Sequence, residues 1–442
     1  MKAHWATVTK RAAAVGMLGL MALSGNIVAG QTASEVIARY PLPEVALADA
    51  QALALPGSPI ADDRGILLGG VGSDLWRAAG DPEGEFWMIT DRGPNYDIEV
   101  EGGDRLAFPA PDFTPHILHV RVGDAGIEIL EAIAIVGASG APVTGISNID
   151  GHDVQPYDVS GTVALDYNIN GVDSEGLVRA PDGTFYVAEE YGPSILHIDA
   201  TGVVLHRFVP EGLDYSGADT TVVASLPAVL GERRGNRGFE GIAISNDGST
   251  VYAMVQSPLA NPDGDTSKGS RNVRILAIDA ATGAPLGEYV YQFDEATAFD
   301  PDPEVERGDM KSSGLVFIDA DTMLVLERTD AVAKVYVIEL AGATNILGGA
   351  YDDVATSPSL EAVDDLASIE VVPVAKTLLV DLSAVGEMPE KIEGIAIVDA
   401  TTIAIANDND FDTGEFDADG RNVGSGKSSE IILVSVPALP VE

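Results

Sequence analysis

Residues 172–193 read VDSEGLVRAPDGTFYVAEEYGP. Two short apolar runs flank a Pro-Asp-Gly turn, the pattern of a β-hairpin. The open end of this hairpin carries acids on both strands, Glu175 before the first run and Glu189 with Glu190 after the second. Carboxylates brought together in this way repel and raise one another's pKa unless a cation, a basic partner or a shared proton sits among them.

The pattern recurs along the chain. EGIAISNDGSTVYAMVQSP begins at Glu240, SGLVFIDADTMLVLERTD at Ser313 and EGIAIVDATTIAIANDND at Glu393, with a variant, LWRAAGDPEGEFWMITDRGPN, from Leu75. Aligned on the turns, TDRGPN at 90–95 lies over EEYGPS at 189–194, Gly-Pro included. The matched starts Glu175, Glu240, Ser313 and Glu393 are 65, 73 and 80 residues apart (240−175, 313−240, 393−313). Each second run ends in a pair: Thr90-Asp91, Glu189-Glu190, Val255-Gln256, Glu327-Arg328 and Asn407-Asp408. A period of this size, made of hairpins with further strands between them at 272–293 and 333–340, predicts an all-β fold, a single β-propeller. Roughly 410 residues after the leader predict six blades, with seven also fitting the length.

In a propeller the first strand of each blade lines the central channel, so the open ends of the hairpins meet at one mouth of it. A β-sandwich array does not account for acids recurring at one end of the same hairpin, and a doubly wound fold lacks its helical periodicity here. Residues 352–368, DDVATSPSLEAVDDLAS, read as a short helical insertion with Ser357 and Ser359 as caps.

Composition narrows the partners. The chain of 442 residues has 69 acids against 25 bases, a net charge of −44, which repels nucleic acid and anionic headgroups. Lys2, Lys10 and Arg11, then AAAVGMLGLMAL, then SGNIVAGQTAS follow the order of a secretory signal peptide over 1–30, with cleavage expected between Ala29 and Ala33. Residues 31–68 then lead into a propeller at 69–436, expected to be a periplasmic or extracellular monomer without membrane insertion. With no cysteine, the chain has no disulfide, thiol nucleophile or thiolate metal site.

The chemistry available is that of oxygen ligands. There is no GxSxG elbow, HExxH helix or phosphate loop. Clustered carboxylates in a His-poor chain point to Ca²⁺ ahead of zinc. Of the six histidines, His152 in the polar run SNIDGHDVQPYD stands out, while His116, His119, His197 and His206 fall in or beside strand-like runs. Arg92, Arg237 and Arg328 each sit within three residues of a repeat acid, where a guanidinium either binds a phosphate or neutralises the neighbouring acids. Glu415, Asp417 and Asp419 before Gly420 imitate the start of a Ca²⁺ loop, but position twelve is Gly426 and not the bidentate Glu of an EF-hand.

The run DSEGLVRAPDGTFYVAEEYGPSILHIDATG, with NRGFEGIAISNDGSTVYAMVQSPL, VRILAIDAATG, LVLERTD and KIEGIAIVDATTIAIANDNDF, resembles the phytase-like family, the esterase-like activity of phytase domain. The resemblance implies a secreted bacterial β-propeller that hydrolyses phosphoesters or esters. It also implies that Asp91, Glu175, Glu189, Glu190, Glu240, Glu327, Glu393 and Asp408 are the active acids. Ser313 departs from the Glu of the other repeats. The catalytic candidates are Glu190, Glu189, Asp91 and Glu240, and the metal ligands Glu175, Glu327, Glu393, Asn407 and Asp408. The substrate contacts are Arg92, Arg237, Arg328 and Tyr191. The expected function is a Ca²⁺-dependent hydrolase of a small-molecule phosphoester or ester. The alternatives are a Ca²⁺-dependent lactonase or carboxylesterase, and a propeller that binds a ligand or partner without turnover.

Overall fold

The Pro181-Asp182-Gly183 turn closes as its composition requires. Gly183 adopts φ +91°, a conformation that a side chain disfavours, and Asp182 Oδ1 accepts from the backbone amide of Thr184 at 3.0 Å. The strands on either side, Ser174–Arg179 and Phe185–Glu189, pair antiparallel. The computed structural model describes residues 34–441, so the signal-peptide assignment lies outside the described residues.

Five sheets repeat this plan. Blade I contains Asp74–Trp76, Glu85–Ile89, His116–Gly123 and Gly126–Ala134. Blade II continues from its hairpin through Ser194–Ile198 and Val204–Pro210, with Thr221–Leu226 added in parallel. Blade III contains Phe239–Ile244, Thr250–Val255, Asn272–Asp279 and Pro285–Gln292, and blade IV Lys311–Phe317, Thr322–Arg328, Ala333–Glu339 and Ala375–Asp381. Blade V joins Ile392–Asp399, Thr402–Asn407 and Glu430–Ser435 to the strand Val36–Pro41 from the other end of the described chain. The segment expected to lead into the propeller thus also supplies one of its outer strands.

The first strands of the blades touch in sequence, I to II to III to IV to V, and V touches I again. Asp74 secures two of these joins, with its carboxylate accepting from the backbone amides of Leu177 on blade II and Ile395 on blade V. Six sheets are present among the described residues, but only five are blades of this ring. The sixth, Tyr96–Val100, Gly103–Phe108 and Pro156–Asp158, comes from long connections around blade I and supplies no first strand to the ring. A count by length alone absorbs those connections into an extra blade.

Apolar residues on facing sheets fill the spaces between blades: Ile242, Ala253 and Ile275 of blade III, at most 1% exposed, cluster with Leu315, Met323 and Val325 of blade IV. Each buried aliphatic side chain of this kind contributes about 1.5–3 kcal/mol. The 352–368 segment forms no α-helix. It contains the 3-10 turn Leu360–Ala362, with Ala350–Asp352 and Leu366–Ile369 at or beyond its ends, because Pro358 bars a continuous helix. Leu360 and Leu366 pack with Val290 of blade III, and Glu361 pairs at 3.0 Å with the buried Arg274. No described helix is long and apolar enough to cross a membrane.

Candidate functional site

Four first strands carry a β-bulge at the same place. Register shifts leave Glu175, Glu240, Glu393, and Ser313 with Gly314, without a direct partner on the second strand. A bulge re-aims the extra side chain. Here the re-aimed acids meet, with oxygens of Glu175, Glu240 and Glu393 all within 4.8 Å of one another. The glycine after each acid is a packing requirement, since a Cβ on Gly176 or Gly241 would lie 2.3 Å from the carbonyl oxygen of Glu240 or Ser313 on the next blade.

The pairs that end the second strands divide by position. Their first members serve the blades. Thr90 Oγ1 accepts from the amide of His116 at 3.0 Å, and Asn407 Oδ1 from the amide of Glu430 at 2.9 Å. Glu189 accepts from the amide of Tyr191 at 3.1 Å and the hydroxyl of Ser194 at 2.8 Å, and also from Asn148 Nδ2 and the amide of Asp173. Glu327 accepts from Tyr291, from the amide of Asp294 at 2.9 Å and from Lys376 Nζ at 2.8 Å. The structure therefore does not bring Glu189, Glu327 or Asn407 into the acid groups. Burial pushes Glu189 up to about 7, against the pull of Arg207.

The second members join the central cluster. Asp91 belongs to one group with Asp173 and Glu175 and to another with Asp408 and Asp410, each with its oxygens within 4.8 Å. Gln256 Nε2 donates to Glu240 Oε2 at 2.6 Å. Arg328 pairs with Glu393, lies 3.8 Å from Glu240 and donates through Nε to Ser313 Oγ at 2.8 Å. Blade IV thus presents a short serine and a cation where blades II and V present acids. Glu190 is 1% exposed, and among the described residues its Oε1 and the Oδ1 of Asp173 are buried without a hydrogen-bond partner.

Burial raises the pKa of Asp91, Asp173, Glu175, Glu190, Glu240, Glu393 and Asp408. Glu240 rises to about 8, from burial first and then the repulsion of Glu393 and Glu190. An all-oxygen donor set with two unpartnered buried oxygens fits a hard divalent cation.

The expected substrate contacts differ in availability. Arg92 is occupied, with Nη1 2.6 Å from both Asp173 Oδ2 and Asn236 Oδ1, and Nη2 3.4 Å from Asn95 Oδ1. Tyr191 is 3% exposed, donates to the carbonyl of Gly145 at 2.6 Å and lies beneath the Arg92 guanidinium. Among the described residues the Arg237 guanidinium donates only to Ser257 Oγ, at 2.9 Å. His152 Nε2 contacts the carbonyl of Gly231 at 3.0 Å, beside the buried Arg233–Asp153 pair. Among the described residues, Glu415, Asp417 and Asp419 form no group able to hold a metal. Instead Asp417 Oδ1 accepts from the amides of Asp419 and Arg421, both at 2.9 Å. An apolar cavity of about 280 Å³ between the helix Leu47–Ala54 and blade I contains none of the candidates.

Sequence reading missed Asp173, Lys311, Lys391 and Asp410. The first three share one column, two residues before Glu175, Ser313 and Glu393, so the alignment that found the acids held this signal too.

The model of the family described as Phytase-like, esterase-like activity of phytase, matches residues 67–411. An uncharacterised secreted protein of Arthroderma benhamiae is 27% identical over 311 residues, covering 60% of this chain and 60% of the relative, so the chain spans less than two thirds of that relative's length. Similar solved structures include the calcium-binding protein regucalcin from Agrobacterium tumefaciens, 12% identical, covering 84% of this chain and 92% of that one, with a TM-score of 0.33. The PQQ-bound aldose sugar dehydrogenase from Streptomyces coelicolor is 10% identical, covering 92% and 98%, at 0.35. A gluconolactonase from Xanthomonas campestris is 11% identical, covering 91% and 98%, at 0.31.

Proposed function

The chain belongs to the phytase-like family, and from that premise we propose that it is an exported, cation-dependent hydrolase of phosphoesters acting at the carboxylate-lined end of the ring. The observation that carries the reading is the set of three acid groups linked by Asp91 and Glu175, beside two buried carboxylate oxygens that have no partner. Such a set is costly to keep bare and gains from a divalent cation. Export rests on the leader-like N-terminus and on the secreted relative.

Asp91, Asp173 and Glu175 would hold Ca²⁺, with Asp408 and Asp410 on the far side of Asp91. Bound Ca²⁺ supplies Lewis-acid polarisation of the ester oxygen and offsets the charge of the acids. Glu190 is the general base. Its unpartnered oxygen accepts a proton from the attacking water, and burial, which raises its pKa, makes it a stronger base than an exposed carboxylate. Arg237 and Arg328 face the charge that develops on the phosphoryl oxygens. Glu240 and Glu393, already engaged by Gln256 and Arg328, orient this cationic side.

The test is turnover of an aryl phosphate, an aryl carboxylate ester and a lactone by the exported chain, with Ca²⁺ and with chelator. Phosphate release that chelator abolishes is the expected result. A preference for the carboxylate ester or lactone would replace the substrate class. Cation binding without turnover of any of the three would leave a binding propeller.

A further inference from the structure

The acid groups built on Asp91 draw on blades I, II and V, where Arg92 and Lys391 pair with Asp173 and Asp410. A second set of cations, Lys311, Arg237 and Arg328, gathers on blades III and IV. Lys311 opens the first strand of blade IV and is in register with Arg328 on the second. Both reach a single carboxylate oxygen, Asp330 Oδ1, at 2.7 Å from Lys311 Nζ and 3.2 Å from Arg328 Nη1. Arg237 approaches from blade III. The hydroxyl of Ser257, which accepts from Arg237, donates to the carbonyl of Met310 at 3.4 Å, one residue before Lys311. Among the described residues Arg237 forms no ion pair; Arg234 and Arg328 act on it as like charges, and Glu190 and Glu240 as opposite ones.

The exposures of these groups are unequal in an informative way. The side chain of Arg328 is 1% exposed and that of Lys311 13%, but the acid that both hold, Asp330, is 65% exposed. Ion pairs at an exposed carboxylate contribute little to stability. Two sequestered cations converging on an acid at the solvent edge, with a third cation unpaired beside them, form an anion seat whose occupant is exchangeable. A phosphate dianion offers two charges and several acceptor oxygens to this set, against one charge from Asp330.

We propose that Lys311, Arg237 and Arg328 form the subsite for the phosphate of a monoester, that Asp330 occupies it in the free protein, and that Asp330 gives way when substrate binds. This rests on the phosphoester reading above, but it concerns binding and is measurable without turnover. Lys311 acts on Glu393 and Arg328 pairs with it, so the anion subsite borders the Glu175–Glu240–Glu393 group but shares no residue with the two acid groups built on Asp91.

Calorimetric titration of inorganic phosphate into the whole exported chain in dilute Ca²⁺ tests it, with circular dichroism confirming that each variant is folded. One phosphate per chain is expected. Lys311→Ala should weaken it about tenfold or more, Lys311→Arg should retain it, and Asp330→Asn should tighten it several-fold by removing the competitor. The gain from Asp330→Asn should vanish in the Lys311→Ala background, because the two side chains are in contact. Wild-type and Lys311→Ala chains binding phosphate equally, or weaker binding by Asp330→Asn, would overturn the proposal, as would no phosphate binding by wild type. Ester turnover without phosphate binding would sink this subsite and leave hydrolysis standing. Phosphate binding in the expected variant pattern without turnover would do the reverse.

Discussion

The hairpins of blades II and IV end in adjacent pairs, Glu189-Glu190 and Glu327-Arg328, that look alike in sequence and diverge in space. Glu189 and Glu327 each accept several hydrogen bonds from their own or a neighbouring blade. Glu190 and Arg328, one residue later, belong to the centre, the first with an unpartnered oxygen and the second bridging toward Glu240 and Glu393. Successive side chains on an extended strand point to opposite faces. One step along the chain therefore separates a residue that holds a blade together from one that faces the cluster. Two glutamates with the same neighbours and nearly the same burial need not share a role.

The largest expected effect breaks or confirms this division at its sharpest point. Glu190→Gln keeps size and removes the base, so turnover of the preferred ester should fall by about 100-fold or more with an unchanged circular dichroism spectrum. Glu189→Gln should instead lower the melting temperature and leave kcat within a few-fold of wild type. Equal turnover by wild type and Glu190→Gln on a substrate that wild type clearly hydrolyses would remove Glu190 from the chemistry and leave the cluster acids as a structural ring.

That division was only half legible in the sequence. The repeat located the hairpins, the bulged acids Glu175, Glu240 and Glu393, and the blade plan, because period-2 apolar runs and Asp-Gly turns are local signals. It did not say which residue of Glu189-Glu190 faces the cluster, since that depends on where the last ladder pair falls, and Glu189 pairs with Ser194 inside the sheet. Ser313 reads as a gap in the acid series. Only in three dimensions does Arg328, fifteen residues on (328−313), fill it from the paired strand. The count of six blades failed for another reason: the long connections of blade I form a sheet of their own outside the ring.

A second prediction addresses the blade side. Glu327→Ala would leave Lys376, the Tyr291 hydroxyl and the amide of Asp294 without their shared acceptor in a buried setting. Breaking such an arrangement from one side costs about 3–5 kcal/mol. Urea denaturation should show a loss of that size, and a loss below about 1 kcal/mol would show that Glu327 does not hold its blade.

The third prediction concerns pH. The folded-state pKa of Glu240, about 8, lies above its ordinary 4.5, so the folded chain binds a proton that the unfolded chain releases between those values. Its contribution is fully present below about pH 4.5 and is lost as pH rises through about 8. With chelator present, the melting temperature should therefore fall by a few degrees between pH 5.5 and pH 8.5. Ca²⁺ should restore more at pH 8.5, where the acids it neutralises are bare. Melting curves that coincide with and without Ca²⁺ at pH 8.5 and fixed ionic strength would argue against a bound cation.

The smallest expected effect distinguishes the arginines. Arg92 spends its guanidinium on Asp173, Asn236 and Asn95 and lies over the Tyr191 ring, whereas Arg237 has a single hydroxyl partner. Arg92→Lys keeps the charge opposite Asp173 and loses the fork that reaches both asparagines. The cost should be about 1–2 kcal/mol of stability, with KM for an aryl phosphate moving less than about threefold. If KM instead rises tenfold for the phosphate and not for a neutral ester, Arg92 leaves Asp173 to meet the substrate. The anion would then sit over blades I and II, beside the acid groups built on Asp91, and not at Lys311, Arg237 and Arg328.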